Sequence, residues 1–227
     1  MKAALEWAEQ RLGYRFRDPG LLDLALTHRS ASARNNERLE FLGDAVLGAV
    51  IARAVFECRP DAGEGILSRI RSRLVRGETL TEIARELDVG GLVHLGSGEM
   101  RAGGHQRSSI LSNALEALLG AIFLDGGMGA VERVIMGIYE SRLARLPSEE
   151  ELTDAKTRLQ EWLQANGNPP PTYSVRNIGG ASHAQTFEVE CSIAGLGIST
   201  GGHGASRRLA EQDAAARALA QLRGVGL

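Results

Sequence analysis

The sequence predicts an all-α N-terminal domain joined to a C-terminal α+β domain of order α-β-β-β-α. Three observations carry this. From Lys2 to about Leu143, apolar residues recur at spacings of three and four, the period of helices packed on one face. A polar, acidic stretch opened by Pro147 then interrupts the pattern. Beyond it, apolar and polar residues alternate with period two before an Ala-rich helix closes the chain.

In the first domain, residues 1–145, the helical segments are Leu21 to Leu26, Leu39 to Val55, Ile66 to Leu87 and Ile110 to Leu124. Gly or Pro marks the joints at Gly13, Pro19 to Gly20, Pro60 to Gly65, Gly90 to Gly104 and Gly126 to Gly129. Residues 146–153 read as a linker, and residues 154–225 as the second domain. There a helix from about Asp154 to Asn166 stops before Pro169, Pro170 and Pro171. Strands follow at Thr172 to Ile178, His183 to Ile193 and Leu196 to Thr200. In the second of these, Phe187, Val189, Cys191 and Ile193 share one face and Glu188, Glu190 and Ser192 the other, as in a half-buried antiparallel strand. Gly201 to Gly204 is expected to be a flexible loop. Ser206 then caps a helix reaching Leu222.

Composition narrows function mainly by exclusion. The 227 residues are 43% hydrophobic and 24% charged, ordinary for globular domains, and only 4% aromatic, too few for base-stacking platforms. Net charge is -2, with no overall basic signal of a nucleic-acid partner. Residues 1–152 carry 19 basic and 22 acidic side chains, and the remainder 7 and 6. The acidic half therefore needs a reason. Cys58 and Cys191 belong to no metal-ligand spacing and read as buried thiols of a reducing compartment. The charged start MKAALEWAEQ and the lack of an uninterrupted 18-residue apolar run point to a cytoplasmic protein without a membrane partner.

That reason is a constellation of carboxylates. Glu37, Glu40 and Asp44 fall within about 60° of one another on a helix, opposite Leu39, Leu42 and Val46. A solvated helix face would look the same, except that Glu40 and Asp44 lie beside Phe41, Ala45 and an apolar run, where uncompensated charge is costly. A second helix, SSILSNALEALLGAIF, gathers Ser109, Ser112, Asn113, Glu116 and Gly120 on one polar stripe amid leucines. Packed against the first stripe, Glu116 would complete an acidic pocket whose charges persist only beside a cation. Hard oxygen ligands imply Mg²⁺, with Mn²⁺ as a substitute. Such ions activate water and neutralise charge on a scissile phosphate.

The segment NERLEFLGDAVL resembles the signature of the ribonuclease III family. So do LGYRFRDPGLLDLALTHRSAS before it and EGILSRIRSRLVRGETL and SILSNALEALLGAIFLD after it. The resemblance implies a nuclease domain whose four metal-site positions are Glu40, Asp44, Asn113 and Glu116, with Asp44 and Glu116 catalytic. It implies roles for Glu37 and Glu64 at the dimer interface and in substrate engagement, and places Phe41 at the contact between two copies. The implied activity is metal-dependent cleavage of double-stranded RNA by a homodimer. Each site cuts one strand, leaving 5′-phosphates, 3′-hydroxyls and two-nucleotide 3′ overhangs on ribosomal precursors and structured transcripts. Asn113 stands where the family usually has Asp. At about 4 Å a lost unit charge is worth about 4 kcal/mol at an effective dielectric near 20, and much less if that position acts through water.

From DAKTRLQEWLQANGNPPPTYSV through HAQTFEVECSIAGLGI to GASRRLAEQDAAARAL the chain resembles a double-stranded RNA-binding domain. Independently, Ser206, Arg207 and Arg208 join a helix N-terminus to two guanidiniums, an arrangement suited to phosphates. Thr157, Gln160 and Glu161 on the first helix suit the 2′-hydroxyls of a shallow minor groove, and His183 would reach the next one.

Other features carry less. His28 and His94 read as core or capping histidines, because no second His lies at ligand spacing. The Gly-rich stretch Gly96 to Ser109 lacks the Lys of a phosphate-binding loop, so no nucleotide cofactor is expected. Two other functions compete: an RNA-binding protein with a decayed nuclease domain, and a metal phosphohydrolase for small molecules. The survival of Glu40, Asp44 and Glu116 speaks against the first, and the C-terminal domain against the second.

Overall fold

The computed structural model describes residues 1–180 and 185–224. It divides into two compact units, Met1–Leu146 and Pro147–Leu227.

The first unit is helical. Helix α1 (Lys2–Trp7) runs into a π-helical turn, Ala8–Leu12. Helix α2 (Pro19–Ala25) starts with proline in its first turn, and Asp18 accepts from the Gly20 N–H at 2.8 Å, the cap its sequence calls for. The long α3 (Glu37–Cys58) follows, then α4 (Glu64–Val75), α5 (Gly77–Glu86), the short α6 (Ser97–Arg101), α7 (Ser108–Gly126) and α8 (Met128–Leu143). The apolar run from Ile66 to Leu87 is thus two helices. Arg76 is extended, and the Thr79 hydroxyl takes the Arg73 carbonyl at the break. The Gly-rich stretch after Gly90 is ordered into α6 and two 3₁₀ turns, Val89–Leu92 and Gly104–Gln106.

Helix α7 is the axis of this unit. It is long and apolar enough to cross a membrane by length and composition, but most of it is buried in the core, including Leu111, Leu115, Leu118, Leu119 and Ile122. Its far end is tied to the N-terminal segment by Asp125, which accepts from the Tyr14 hydroxyl (2.6 Å) and the N–H groups of Arg17 (2.8 Å) and Asp18 (2.9 Å).

Helices α3 and α7 meet backbone to backbone. A Cβ on Gly43 would lie 1.8 Å from the Glu116 carbonyl oxygen, and one on Gly120 would lie 2.2 Å from the Leu39 carbonyl oxygen. Any side chain at either position would force the helices apart. Asn36, buried just ahead of α3, donates from its backbone N–H to Thr27 (2.9 Å) and from its amide to Ala25 (3.1 Å), fixing where α3 begins.

The second unit opens with a short α9 (Glu149–Leu152), inside the stretch read as linker. Helix α10 (Ala155–Ala165) is capped by Asp154, which accepts from the Thr157 N–H. An antiparallel sheet of order β1-β2-β3 follows, made of Thr172–Gly179, Thr186–Ile193 and Ile198–Gly204. Helix α11 (Arg207–Gly224) closes it. The core joins Leu159 and Leu163 to Cys191, Ile193, Ile198, Ala214, Ala218 and Leu219. Alternation in β2 is as the sequence indicates, with Val189, Cys191 and Ile193 inside. The expected flexible loop Gly201 to Gly204 is instead the second half of β3. A Cβ on Gly202 would sit 2.2 Å from the Ala214 nitrogen, so glycine there lets the strand lie against α11. Of the two cysteines, Cys191 is buried as expected but Cys58, at the end of α3, is exposed.

Replacing Gly43 with Ala is expected to destabilise the first unit by about 3 kcal/mol, the upper end of ordinary overpacking, because backbone rather than a flexible side chain must move. Chemical denaturation followed by circular dichroism checks this.

Candidate active site

One cleft, with a volume of about 570 Å³, lies along the α3–α7 seam. Glu37, Glu40, Phe41 and Asp44 line it from α3, and Ser109, Ile110, Asn113 and Glu116 from α7. The acids that the sequence placed on two separate stripes therefore share one space. Gly43 and Gly120 bring the stripes together: Gly43 lies one residue before Asp44, and Gly120 one turn beyond Glu116. The sequence reading used Gly120 as part of the stripe and passed over Gly43, whose signal was a glycine inside a long helix with no cap to make.

Electrostatics mark the seam. Burial, then the charges of Asp44 and Glu40, raise Glu116 to a pKa of about 7. Glu40 is raised by burial and by Glu37 and Asp44, against the lowering effects of a hydrogen bond from Asn113 and of Arg29. Phe41 is 79% exposed and Ala45 and Asp44 are exposed too, so the apolar neighbours invoked for Glu40 and Asp44 are not buried in the chain itself.

Asn113 is the pivot of the polar network. Its amide donates to Glu40, and its oxygen accepts from the Ser112 hydroxyl at 3.3 Å. An aspartate here would put a fourth carboxylate against Glu40. Among the described residues, no three His, Cys, Asp or Glu side chains converge on a single metal-binding point. Like charges this close spread apart, and the donor set itself, three carboxylates and an amide oxygen, is that of a hard divalent cation.

Glu37 sits at the mouth of the cleft, exposed, with its carboxylate 3.6 Å from the Arg29 guanidinium. Glu64 does not line the cleft. It opens α4, where its carboxylate accepts from the Ser68 hydroxyl at 2.7 Å. Arg29 and Asn36, not singled out from sequence, also line the cleft, as does His28, expected as a core or capping histidine. His28 is partly exposed rather than a core histidine, and His94 is exposed and 3.2 Å from Asp23.

In the second unit a groove of about 480 Å³ is lined by Lys156, Thr157 and Gln160 from the α10 end and by Arg208 and Gln212 of α11. Glu161 is exposed on α10. Ser206 caps α11 through the Leu209 N–H (3.3 Å). Arg207, itself exposed, pairs along the helix with Glu211 (2.9 Å), and Arg208 is the arginine of the two that lines the groove. Glu211 also pairs with Lys156, whose ammonium lies 4.5 Å from the centre of the Tyr173 ring. Lys156 was not singled out from sequence, although one of only two lysines in the chain is a visible signal. His183 lies outside the described residues.

Residues 18–143 match the model of a family described as ribonuclease-III-like, and residues 155–222 match the double-stranded RNA binding motif. Among curated proteins the chain is similar to Ribonuclease 3 of Alkalilimnicola ehrlichii, 54% identical over 94% of each chain. It is also similar to that of Hahella chejuensis, 52% identical over 98% of each. Among solved structures it resembles the nuclease domain of ribonuclease III from Campylobacter jejuni. The identity there is 40% at a TM-score of 0.60, over 62% of this chain and 99% of that one.

The raised pKa of Glu116 fixes the sign of a pH effect. A carboxyl whose folded pKa lies above its unfolded value favours folding while protonated. That stability is fully present below the unfolded pKa of about 4.3 and is lost as pH rises towards 7. Without metal, Glu116→Gln is therefore expected to unfold at a higher denaturant concentration than the parent at about pH 8. The gain is about 1–2 kcal/mol once partial solvent exposure is allowed for, and it vanishes near pH 4. Urea melts at the two pH values provide the check.

Proposed function

The chain belongs to the ribonuclease III family, and from that membership we propose how its own residues cut double-stranded RNA. It is a metal-dependent endoribonuclease with a double-stranded RNA-binding domain. The observation that carries the proposal is the single cleft in which Glu40, Asp44, Asn113 and Glu116 meet from two helices.

We assign these four residues to the metal and give Asp44 and Glu116 the central catalytic part. Magnesium is the ion that best suits an all-oxygen set, and manganese shares its preferences. When bound, such a cation supplies a Lewis acid and a more acidic water. The protein orients and neutralises: Asn113 holds Glu40 through its amide, and burial raises Glu116 so that its carboxyl would hold or release a proton near neutral pH and, once deprotonated, could serve as a metal ligand. Glu37 and Arg29 border the entrance, and Glu64 remains assigned to substrate engagement.

The binding domain supplies affinity. Arg208, with Ser206 and the start of α11, faces phosphate, while Thr157, Gln160 and Glu161 of α10 face the minor groove. Arg207 contributes through its bond to Glu211, and His183 is assigned to the neighbouring groove. The products are 5′-phosphates and 3′-hydroxyls with two-nucleotide 3′ overhangs, from ribosomal RNA precursors and structured transcripts. Cys58 and Cys191 as free thiols accord with work in the cytoplasm.

Two staggered cuts require two sites. We assign the second to another copy of the chain docked on α3, where Phe41 (79% exposed) and Phe56 (66% exposed) flank the exposed Ala45 and Ala49. An apolar stripe of this kind on a helix is suited to an isologous contact. Because Phe41 also lines the cleft, dimer formation and the active site share a residue.

Incubation with a long RNA duplex and Mg²⁺ is expected to give short duplex fragments, and chelator to abolish them. Glu116→Gln should bind the duplex without cutting it; full cleavage by that variant contradicts the assignment. Phe41→Glu is expected to shift the protein to a monomer in analytical ultracentrifugation and to lower cleavage at least tenfold, whereas Phe41→Leu retains the dimer. A dimeric Phe41→Glu protein removes α3 from the interface.

A further inference from the structure

His28 lines the cleft that holds the acid cluster, among Glu37, Glu40, Asp44 and Glu116. Its backbone is held by a parallel bridge: the His28 N–H donates to the His94 carbonyl (3.1 Å), and the His94 N–H to the Leu26 carbonyl (2.8 Å). Its ring is held by Ser30. The Ser30 hydroxyl lies 2.8 Å from His28 Nδ1, and the Ser30 backbone N–H donates to the same nitrogen at 3.2 Å. Ser30 is itself clamped, because its Oγ accepts from the Gly96 N–H at 3.0 Å. Gly96 approaches so closely that a Cβ there would lie 2.2 Å from the Ser30 carbonyl oxygen.

Hydrogen-bond accounting then fixes the tautomer. A backbone N–H can only donate, so Nδ1 is an acceptor. Ser30 Oγ already accepts from Gly96 and gives its own proton to Nδ1. The ring proton is therefore on Nε2, which has no hydrogen-bond partner among the described residues. A ring N–H without a protein partner, on a residue lining a cleft rich in carboxylates, suits an anionic oxygen brought by the substrate. Arg29, next in sequence and also lining the cleft, adds positive charge at the same edge.

We propose that His28 contacts the RNA backbone directly, Nε2–H donating to a non-bridging phosphate oxygen beside the acid cluster, with Ser30 as the residue that positions the ring. The proposal rests on the nuclease reading of the cleft, and its test separates the two.

Single-turnover cleavage of a defined RNA duplex in Mg²⁺ is measured for the full-length parent, His28→Ala, His28→Gln, Ser30→Ala and the His28→Ala/Ser30→Ala double variant. Melting curves and duplex affinities in a Glu116→Gln background accompany the rates. The expected loss in His28→Ala is about 10- to 100-fold in rate, the scale of one hydrogen bond to a charged group. Melting temperature should hold and affinity should fall less than tenfold. His28→Gln, whose amide offers an N–H, should recover part of the rate. Ser30→Ala should lose rate alone but nothing further once His28 is gone. A parent that leaves duplex RNA uncut defeats the nuclease reading. With an active parent, a His28→Ala rate within about twofold of it overturns the role of His28, as does full additivity of the two losses. If His28→Ala does not fold, parental rates in both His28→Gln and Ser30→Ala overturn the proposal as well.

Discussion

Everything in the first unit turns on the contact between α3 and α7 at Gly43 and Gly120. Two helices separated by ordinary side chains lie about 8–10 Å apart, but with backbone touching backbone the carboxylates on either side must share one cleft. The fold thereby imposes a crowding of negative charge that isolated helices would avoid. Its signature is a Glu116 carboxyl raised to about 7 and a Glu40 raised in the same direction. In the proposed assignment a divalent cation would relieve that crowding, so that packing of the two helices would favour metal binding.

Periodicity made much of the fold legible. The acids fell on helix faces because their spacings are helical, and β2 was readable because alternation is strict from Phe187 to Ile193. Glycine was the weak point of the reading. Gly201, Gly202 and Gly204 look like a loop in sequence, yet Gly202 is a strand residue chosen for close approach to α11. Gly43 is silent for the same reason: what makes it necessary is a backbone oxygen from a helix more than seventy residues away in sequence. Pattern within one segment cannot register a contact with another.

The site shows the same limit. Glu116 was identifiable as a residue type out of place in an apolar helix, and Glu40 and Asp44 by their helical spacing, although the apolar neighbours beside them are exposed. His28 was not, because its meaning depends on Ser30 and Gly96 fixing its ring. Glu64, matched by family signature, lies away from the cleft in the single chain. In the second unit the twin arginines look equivalent in sequence, but Arg207 is paired with Glu211 along α11 and Arg208 lines the groove. A near-neutral chain can serve a polyanion if, as proposed, the acidic unit holds metal while a small set of oriented cations lies in the other unit.

If Glu40, Asp44 and Glu116 together bind one divalent cation, the metal should be visible between α3 and α7. Crystals grown with Mn²⁺ and measured for anomalous scattering test it most directly. A peak is expected in the α3–α7 cleft about 2.0–2.4 Å from carboxylate oxygens of all three residues. A cleft without a peak, or manganese bound elsewhere while these carboxylates point into solvent, would contradict it.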